Sequence, residues 1–282
     1  MMQAIRKRFS KGLPPPIYAQ RFIGETISQI YSPFYVNGRL YDAVLNRPIN
    51  SRPLEGVDIK ALPESTPNWQ IQFIPAQCPT CGWDLEGERD SIVLTCRNCS
   101  SLWIQAKKGF RKLEFGSVPA EKEQAVYLPF YCIEPEITGI QLDSYTDLIR
   151  VANLPKVIQK GMDERLFQFW SPAFKIRPLD FMRFSTALTL SQPRKNWEPR
   201  IPETEVYPVT LAADEALESL KISLACFMKP SGLLLPTLRE IQIKAKSFVL
   251  VYFPFQTQKN EIFHTSFRLR TTRNMLNYAR HL

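Results

Sequence analysis

The apolar positions of this chain fall mostly into short runs closed by proline and polar turns, a pattern of strands more than of long amphipathic helices. Four runs share one phrase, an aromatic, a spacer, a proline and another aromatic or small apolar residue. They are IYSPFYV (30–36), VYLPFYCIE (126–134), FWSPAFKI (169–176) and VYFPFQ (251–256). In a strand, Tyr127, Pro129 and Tyr131 share one face, and Leu128 and Phe130 share the other. Both faces are then apolar, and both need cover. Proline has no N–H for the ladder, so such a strand is expected at a sheet edge or with a bulge at the proline. The phrases begin at Tyr31, Tyr127, Trp170 and Tyr252, and these unequal intervals exclude a solenoid or propeller. Aromatics packing on proline in a core is the simpler account of the phrase; a surface offered to a partner is the alternative.

Further elements follow from the same pattern. Asn37-Gly38 predicts a hairpin within YSPFYVNGRLYDAVLN. Residues 18–29 read as a short strand or helix, 46–67 as a proline-rich loop, and 68–76 as an alternating strand. Residues 109–119 read as a strand, 126–142 as a strand or hairpin, and 165–176 as a strand. Residues 144–162 show no clear pattern. Residues 177–192 read as a helix, and 210–228 as the best helix of the chain, with Thr210 as N-cap and Asp214 and Glu215 in its first turns. Residues 239–272 predict a hairpin turning at Thr257 to Asn260, and 273–282 a short basic helix.

Composition narrows this picture. With 282 residues, 44% hydrophobic and 22% charged, the chain has material for one large domain or two modest ones. The 23 prolines argue against a helical bundle. Neither a signal peptide nor a stretch long enough to span a bilayer is evident, so the chain reads as soluble and cytoplasmic. The net charge of +9 permits nucleic acid, an anionic membrane or an acidic partner without choosing among them.

The cysteines carry the most specific chemistry. Four of the six form CPTCGWDLEGERDSIVLTCRNC, a C-x2-C-x14-C-x2-C arrangement of Cys78, Cys81, Cys96 and Cys99. A CxxC turn points two sulfurs to one side, and two such knuckles complete a tetrahedron around zinc. Gly82 follows the first knuckle, where a tight turn favours positive φ. A pair of disulfides is the competing reading; a cytosolic chain disfavours structural disulfides, and no βαβ context supports a redox CxxC. With SIVLTC and SSLWIQAKK as strands, the segment resembles a zinc ribbon over residues 77–105. The resemblance implies one structural Zn2+ in a closed shell of four thiolates. His264 and His281 are the only histidines and lie far away in sequence. Cys132 and Cys226 sit in apolar surroundings and read as small buried hydrophobes.

The expected fold class is therefore α+β: short proline-edged antiparallel strands and hairpins, a few helices and a small zinc ribbon. Residues 1–16 read as a basic, flexible tail. The first part of the β-rich body covers 17–75, the ribbon 76–106, and the second part of the body 107–282. There is no glycine-rich phosphate loop, no nucleophile elbow and no catalytic or cofactor-binding constellation, so the chain reads as non-catalytic. An interaction or assembly subunit is the first expectation. Nucleic-acid binding is the alternative, by analogy with zinc ribbons of transcription and replication proteins and through Lys107, Lys108, Arg111 and Lys112. Peripheral contact of residues 1–16 with an anionic membrane is a third. The ribbon tip, with Asp84, Glu86, Glu88 and Asp90 against Arg89, argues for a protein partner over phosphates.

Overall fold

The computed structural model describes residues 34–37, 39–42, 45–49, 74–106, 109–120 and 125–280. The expectations for residues 1–29, for Pro33 of the first phrase, for the strand at 68–73 and for Lys107 and Lys108 lie outside them. The chain divides into two compact units, Thr26–Ile74 and a second that contains Pro75–Leu282. In the first, β1 (Phe34–Val36), β2 (Leu40–Asp42) and β3 (Arg47–Pro48) form an antiparallel meander. Val36 pairs with Leu40, so β1 and β2 form a hairpin where one was expected; Gly38 of the expected turn lies outside the described residues.

The second unit is α+β. Its strands are β4 (Val93–Cys96), β5 (Ser101–Gln105), β6 (Phe110–Leu113), β7 (Phe115–Ser117), β8 (Ala125–Thr138), β9 (Phe169–Pro172), β10 (Gln242–Gln258), β11 (Glu261–His264) and β12 (Leu269–Thr272). Its helices are α1 (Tyr145–Val151), α2 (Pro178–Ser191), α3 (Ala213–Glu218), α4 (Leu220–Phe227), the single turn α5 (Ser231–Leu234) and α6 (Arg273–Ala279). The main sheet runs β12-β11-β10-β8-β9, with β7 added parallel to β10. The β10–β11 hairpin turns where expected, at Lys259 and Asn260.

Its centre is one long antiparallel pair. β8 has 14 residues and β10 has 17, and they pair from Ala125↔Gln256 to Thr138↔Gln242, with one bulge between Ala245 and Ser247. These two strands are long, where short ones were expected. Both faces are apolar, as the alternation predicted. Tyr127, Tyr131, Leu250 and Tyr252 join a core with Leu148 and Ile149 of α1 and Leu220, Leu224 and Phe227 of α4. Leu128, Phe130, Val251, Phe253 and Phe255 join a second core with Phe184 and Leu188 of α2 and Leu276 of α6. Phe130 is its hub, 5.7 Å from Phe174, 5.8 Å from Phe253, 6.1 Å from Phe255 and 6.2 Å from Phe184 between ring centroids.

Three of the aromatic-proline phrases lie on adjacent strands of this sheet, and their prolines are not confined to its edges. A strand residue points its N–H and C=O to the same side. The Pro129 carbonyl accepts from Ala173 N–H at 3.0 Å, so the nitrogen of Pro129 also faces β9, where β9 ends. The Ala173 carbonyl that an N–H there would have used accepts instead from Thr210 and Leu211, each at 3.1 Å. Beyond the proline, Tyr127 bonds to Glu205 and Tyr207, both at 2.8 Å. Pro129 thus sits where β8 changes partners. Pro254 does the same on β10, between β7, which ends at the Ser117–Tyr252 pair, and β11, which starts at Phe263–Gln256. Pro172 alone faces an outer edge, that of β9.

That edge is closed by side chains of α2. Trp170 N–H donates to Thr189 Oγ1 at 3.0 Å, and Ser185 Oγ donates to the Trp170 carbonyl at 2.7 Å. Gln192, in the left-handed conformation that ends the helix, accepts from Gln168 N–H through Oε1 at 3.1 Å and donates back to the Gln168 carbonyl.

The helices correct several expectations. Residues 144–162, read as patternless, begin with α1; Ser144 and Asp147 form a reciprocal capping box. The long helix expected over 210–228 is two helices meeting at Ser219, whose hydroxyl bonds back to the Ala216 carbonyl at 2.7 Å. Thr210 is not its N-cap; its hydroxyl accepts from Lys175 N–H at 2.9 Å. Cys132 is buried, and burial pushes its thiol up to about 12. Cys226 is exposed, because α4 buries Leu220, Ser223, Leu224 and Phe227 and turns Cys226 outward. Among the described residues no helix is long and apolar enough to cross a membrane.

Two substitutions test this scheme in chemical denaturation. Thr189→Val keeps the shape but strands the buried Trp170 N–H, and is expected to cost about 1–3 kcal/mol. Phe130→Ala, at the hub of the second core, is expected to cost about 3–5 kcal/mol. Unchanged midpoints would contradict both.

Candidate metal centre

Two knuckles bring the four cysteines together. In the first, Cys78 N–H donates to the Trp83 carbonyl at 2.7 Å, and Gly82 N–H donates to the Cys78 carbonyl at 2.8 Å. Gly82 has φ +73°, the conformation its position after Cys81 requires. The second knuckle, between β4 and β5, repeats the turn with Ser100 at φ +50° directly after Cys99. β4, β5 and β6 form an antiparallel sheet, so both sequence-expected ribbon strands are present and a third joins them.

The four Sγ atoms lie within 4.8 Å of one another, and the Cys78–Cys99 and Cys81–Cys96 pairs are 3.5 Å apart. A disulfide would place its sulfurs about 2 Å apart; all four cysteines are free. Four thiolates each about 2.3 Å from a central ion form a tetrahedron with edges of about 3.8 Å. The sulfur spacing is compatible with that solid, and the group can hold a metal ion.

The surroundings treat the four thiols unequally. Burial opposes ionisation of Cys78, but hydrogen bonds from the N–H groups of Cys81 and Thr80, and then from the thiols of Cys99 and Cys96, outweigh it and bring it down to about 6. Cys81 is lowered by the side chain of Asn98 and then by the Trp83 backbone. Burial pushes Cys96 up to about 12. A cation at the centre reverses that last penalty, because a coordinating thiol is deprotonated outright.

Sequence reasoning missed the residues that support the cluster. Trp103 Nε1 donates to Ser101 Oγ at 2.8 Å, which leaves the Ser101 hydroxyl proton for Cys99 Sγ, 3.0 Å away, or Cys78 Sγ at 3.8 Å. Nothing in CSSLW separates Ser101 from Ser100; only the strand register does. Leu85 and Trp103 pack against Cys78 and Cys96 in a small core of their own.

The ribbon is also bolted to the body. Val93, Leu102 and Leu113 belong to the first large core, and Ile92 N–H donates to the Val209 carbonyl at 2.9 Å. Three of the four acids of its tip are engaged within the chain. Arg280, at the end of α6, donates through Nε to Asp90 at 2.7 Å, contacts Asp90 again, and reaches Glu88 at 2.5 Å. Arg97 meets Glu86 at 2.7 Å. The tip therefore does not carry the argument for a protein partner that its sequence suggested. His264 stands apart, its ring stacked 4.0 Å from that of Phe267.

No protein-family model matches this chain, and neither a curated protein nor a solved structure is significantly similar to it. The reading of the centre rests on its geometry.

Ser101→Ala removes the hydrogen bond to the sulfurs without touching a ligand. Competition with a chromophoric chelator is expected to show metal affinity lower by about 10–100-fold. Equal affinities would show that Ser101 only fills space.

Proposed function

We propose that this chain is a non-catalytic zinc-ribbon protein acting as a subunit of a larger assembly. The observation that carries the reading is the closed, all-cysteine cluster on a ribbon whose other side is part of the main core. Four thiolates leave no open position for water or substrate, so the ion folds and stiffens the ribbon without taking part in a reaction. An S4 set with sulfurs this close suits a single zinc ion. None of the six cysteines is disulfide-bonded, in keeping with a reducing, cytoplasmic setting.

A rigid ribbon has most use as a platform. Trp83, in the first knuckle, is 60% exposed. Exposed tryptophan on a fixed backbone is the kind of residue that anchors protein interfaces. Nucleic-acid binding is the second reading, favoured by one observation. With Glu86, Glu88 and Asp90 of the tip paired internally, Arg111 and Lys112 remain as exposed cations on β6.

Elemental analysis is expected to return one zinc per chain, with ribbon packing lost on chelation; a folded, metal-free protein would refute the zinc assignment. Affinity isolation from the native source tests the platform. The wild type is expected to retain a stoichiometric partner, and Trp83→Ala, still zinc-loaded and equally stable, to lose it at least about tenfold. Isolation of the chain alone overturns the assembly reading. Salt-sensitive binding to random duplex that Arg111→Glu and Lys112→Glu abolish would establish the second.

A further inference from the structure

Between α1 and β9 the chain makes a surface excursion, residues 152–166, whose ends are fastened. Tyr145 N–H donates to the Arg165 carbonyl and Phe167 N–H to the Asp143 carbonyl, both at 2.8 Å. Leu154 N–H returns to the Ile149 carbonyl at 3.0 Å. Within the loop, a turn from Gln159 to Met162 is made possible by Gly161 at φ +87°. A loop held this way at both ends presents its outer side chains in a set place.

Three of its exposed side chains, set among polar and charged ones, are large and apolar. Val157 is 82% exposed, Leu166 59% and Ile158 45%. Single exposed aliphatics need no explanation, but these border a concentration of positive charge. An open cavity of about 310 Å³ beside them is lined by Tyr145, Lys160, Met162, Arg165 and Arg194, among others. Two of the nearby cations are fixed by the protein. The Arg165 guanidinium lies 4.8 Å over the Tyr145 ring and donates to the Gln192 carbonyl, and Lys156 Nζ donates to the Tyr145 hydroxyl at 2.6 Å. Two are uncommitted: among the described residues neither Lys160 nor Arg194 makes an ion pair. The acids of the loop, Asp163 and Glu164, do not line the cavity.

We propose that this loop and cavity bind the surface of an anionic phospholipid membrane. Val157 and Ile158 enter the boundary between headgroups and acyl chains, while Lys160, Arg165 and Arg194 receive headgroup phosphate. The cavity alone would suit any phosphate. The exposed aliphatic pair selects the membrane, because Val157 and Ile158 gain nothing against a nucleic-acid backbone but gain burial in a bilayer interface. Basic residues at the rim add attraction to an anionic leaflet that fades beyond a Debye length. The site shares no residue with the ribbon, so it stands or falls independently of the assembly reading.

Co-flotation of the full-length, zinc-loaded chain with vesicles is the test. The wild type is expected to float at low salt with phosphatidylcholine vesicles containing about 30% phosphatidylserine, and not with phosphatidylcholine alone. The double variants Val157→Asp/Ile158→Asp and Lys160→Glu/Arg194→Glu each change only exposed or cavity-lining side chains. Each is expected to lower the bound fraction by about tenfold or more, with melting temperature and zinc content unchanged. No flotation at low salt overturns the proposal. So does flotation that survives both variants and disappears on deleting residues 1–16, which would move the contact to the tail. Inorganic phosphate bound in calorimetry without vesicle binding would make the cavity a soluble-anion site. Duplex binding lost in Lys160→Glu/Arg194→Glu and kept in Val157→Asp/Ile158→Asp, again without vesicle binding, would make it a nucleic-acid site. Either result overturns the membrane assignment.

Discussion

The antiparallel pairing of β8 with β10 is the interaction on which the rest of this structure depends. It joins residues more than a hundred positions apart into one ribbon with two apolar faces. Neither face tolerates water, so each recruits cover: α1, α4 and the zinc-ribbon-like sheet on one side, α2, α6 and the terminal hairpin on the other. The same pairing supplies the edges on which β7, β9 and β11 assemble. Closing so long a loop costs entropy before any contact repays it, and the dense aromatic packing around Phe130 is where repayment is concentrated.

Backbone hydrogen-bond accounting explains where the prolines fall. A proline in a central strand is tolerable only if the missing donor faces a place where no acceptor waits. Pro129 and Pro254 each occupy the gap between two successive partners on one edge of their strand, and the orphaned Ala173 carbonyl finds Thr210 and Leu211 instead. On β9 the outer edge meets hydroxyls and an amide from α2, which act as a substitute strand. An edge closed by side chains cannot template pairing with another chain.

The four-cysteine cluster is built differently. Each knuckle is a short turn whose geometry is local, which is why spacing alone located it. Its surroundings are not local. Strand register brings Ser101 to the sulfurs and Trp103 to the Ser101 hydroxyl, and Arg280, far along the chain, pairs with Glu88 and Asp90 of the tip. That last contact, with the Arg97–Glu86 pair, leaves three of the four tip acids engaged internally. It also makes the ribbon part of the body.

By itself the sequence determined what depends on near neighbours: the cysteine quartet, the β1–β2 and β10–β11 hairpins, the two apolar faces of VYLPFYCIE, the α2 and α6 helices, and with them the α+β class. It hid α1, although Ser144 and Asp147 form a capping box, because the helix is only seven residues long and shows no stripe. It misread Thr210 and Cys226, whose roles depend on how α3 and α4 break at Ser219 and which side α4 buries. Tertiary structure alone decided that two of the three proline-bearing strands, β8 and β10, are the longest and most central of the sheet, while the third, β9, lies at its edge. A proline states only that one N–H is missing. Whether that absence falls at an edge, or in the gap where one partner strand hands over to the next, is set by segments far away in sequence that fold onto it.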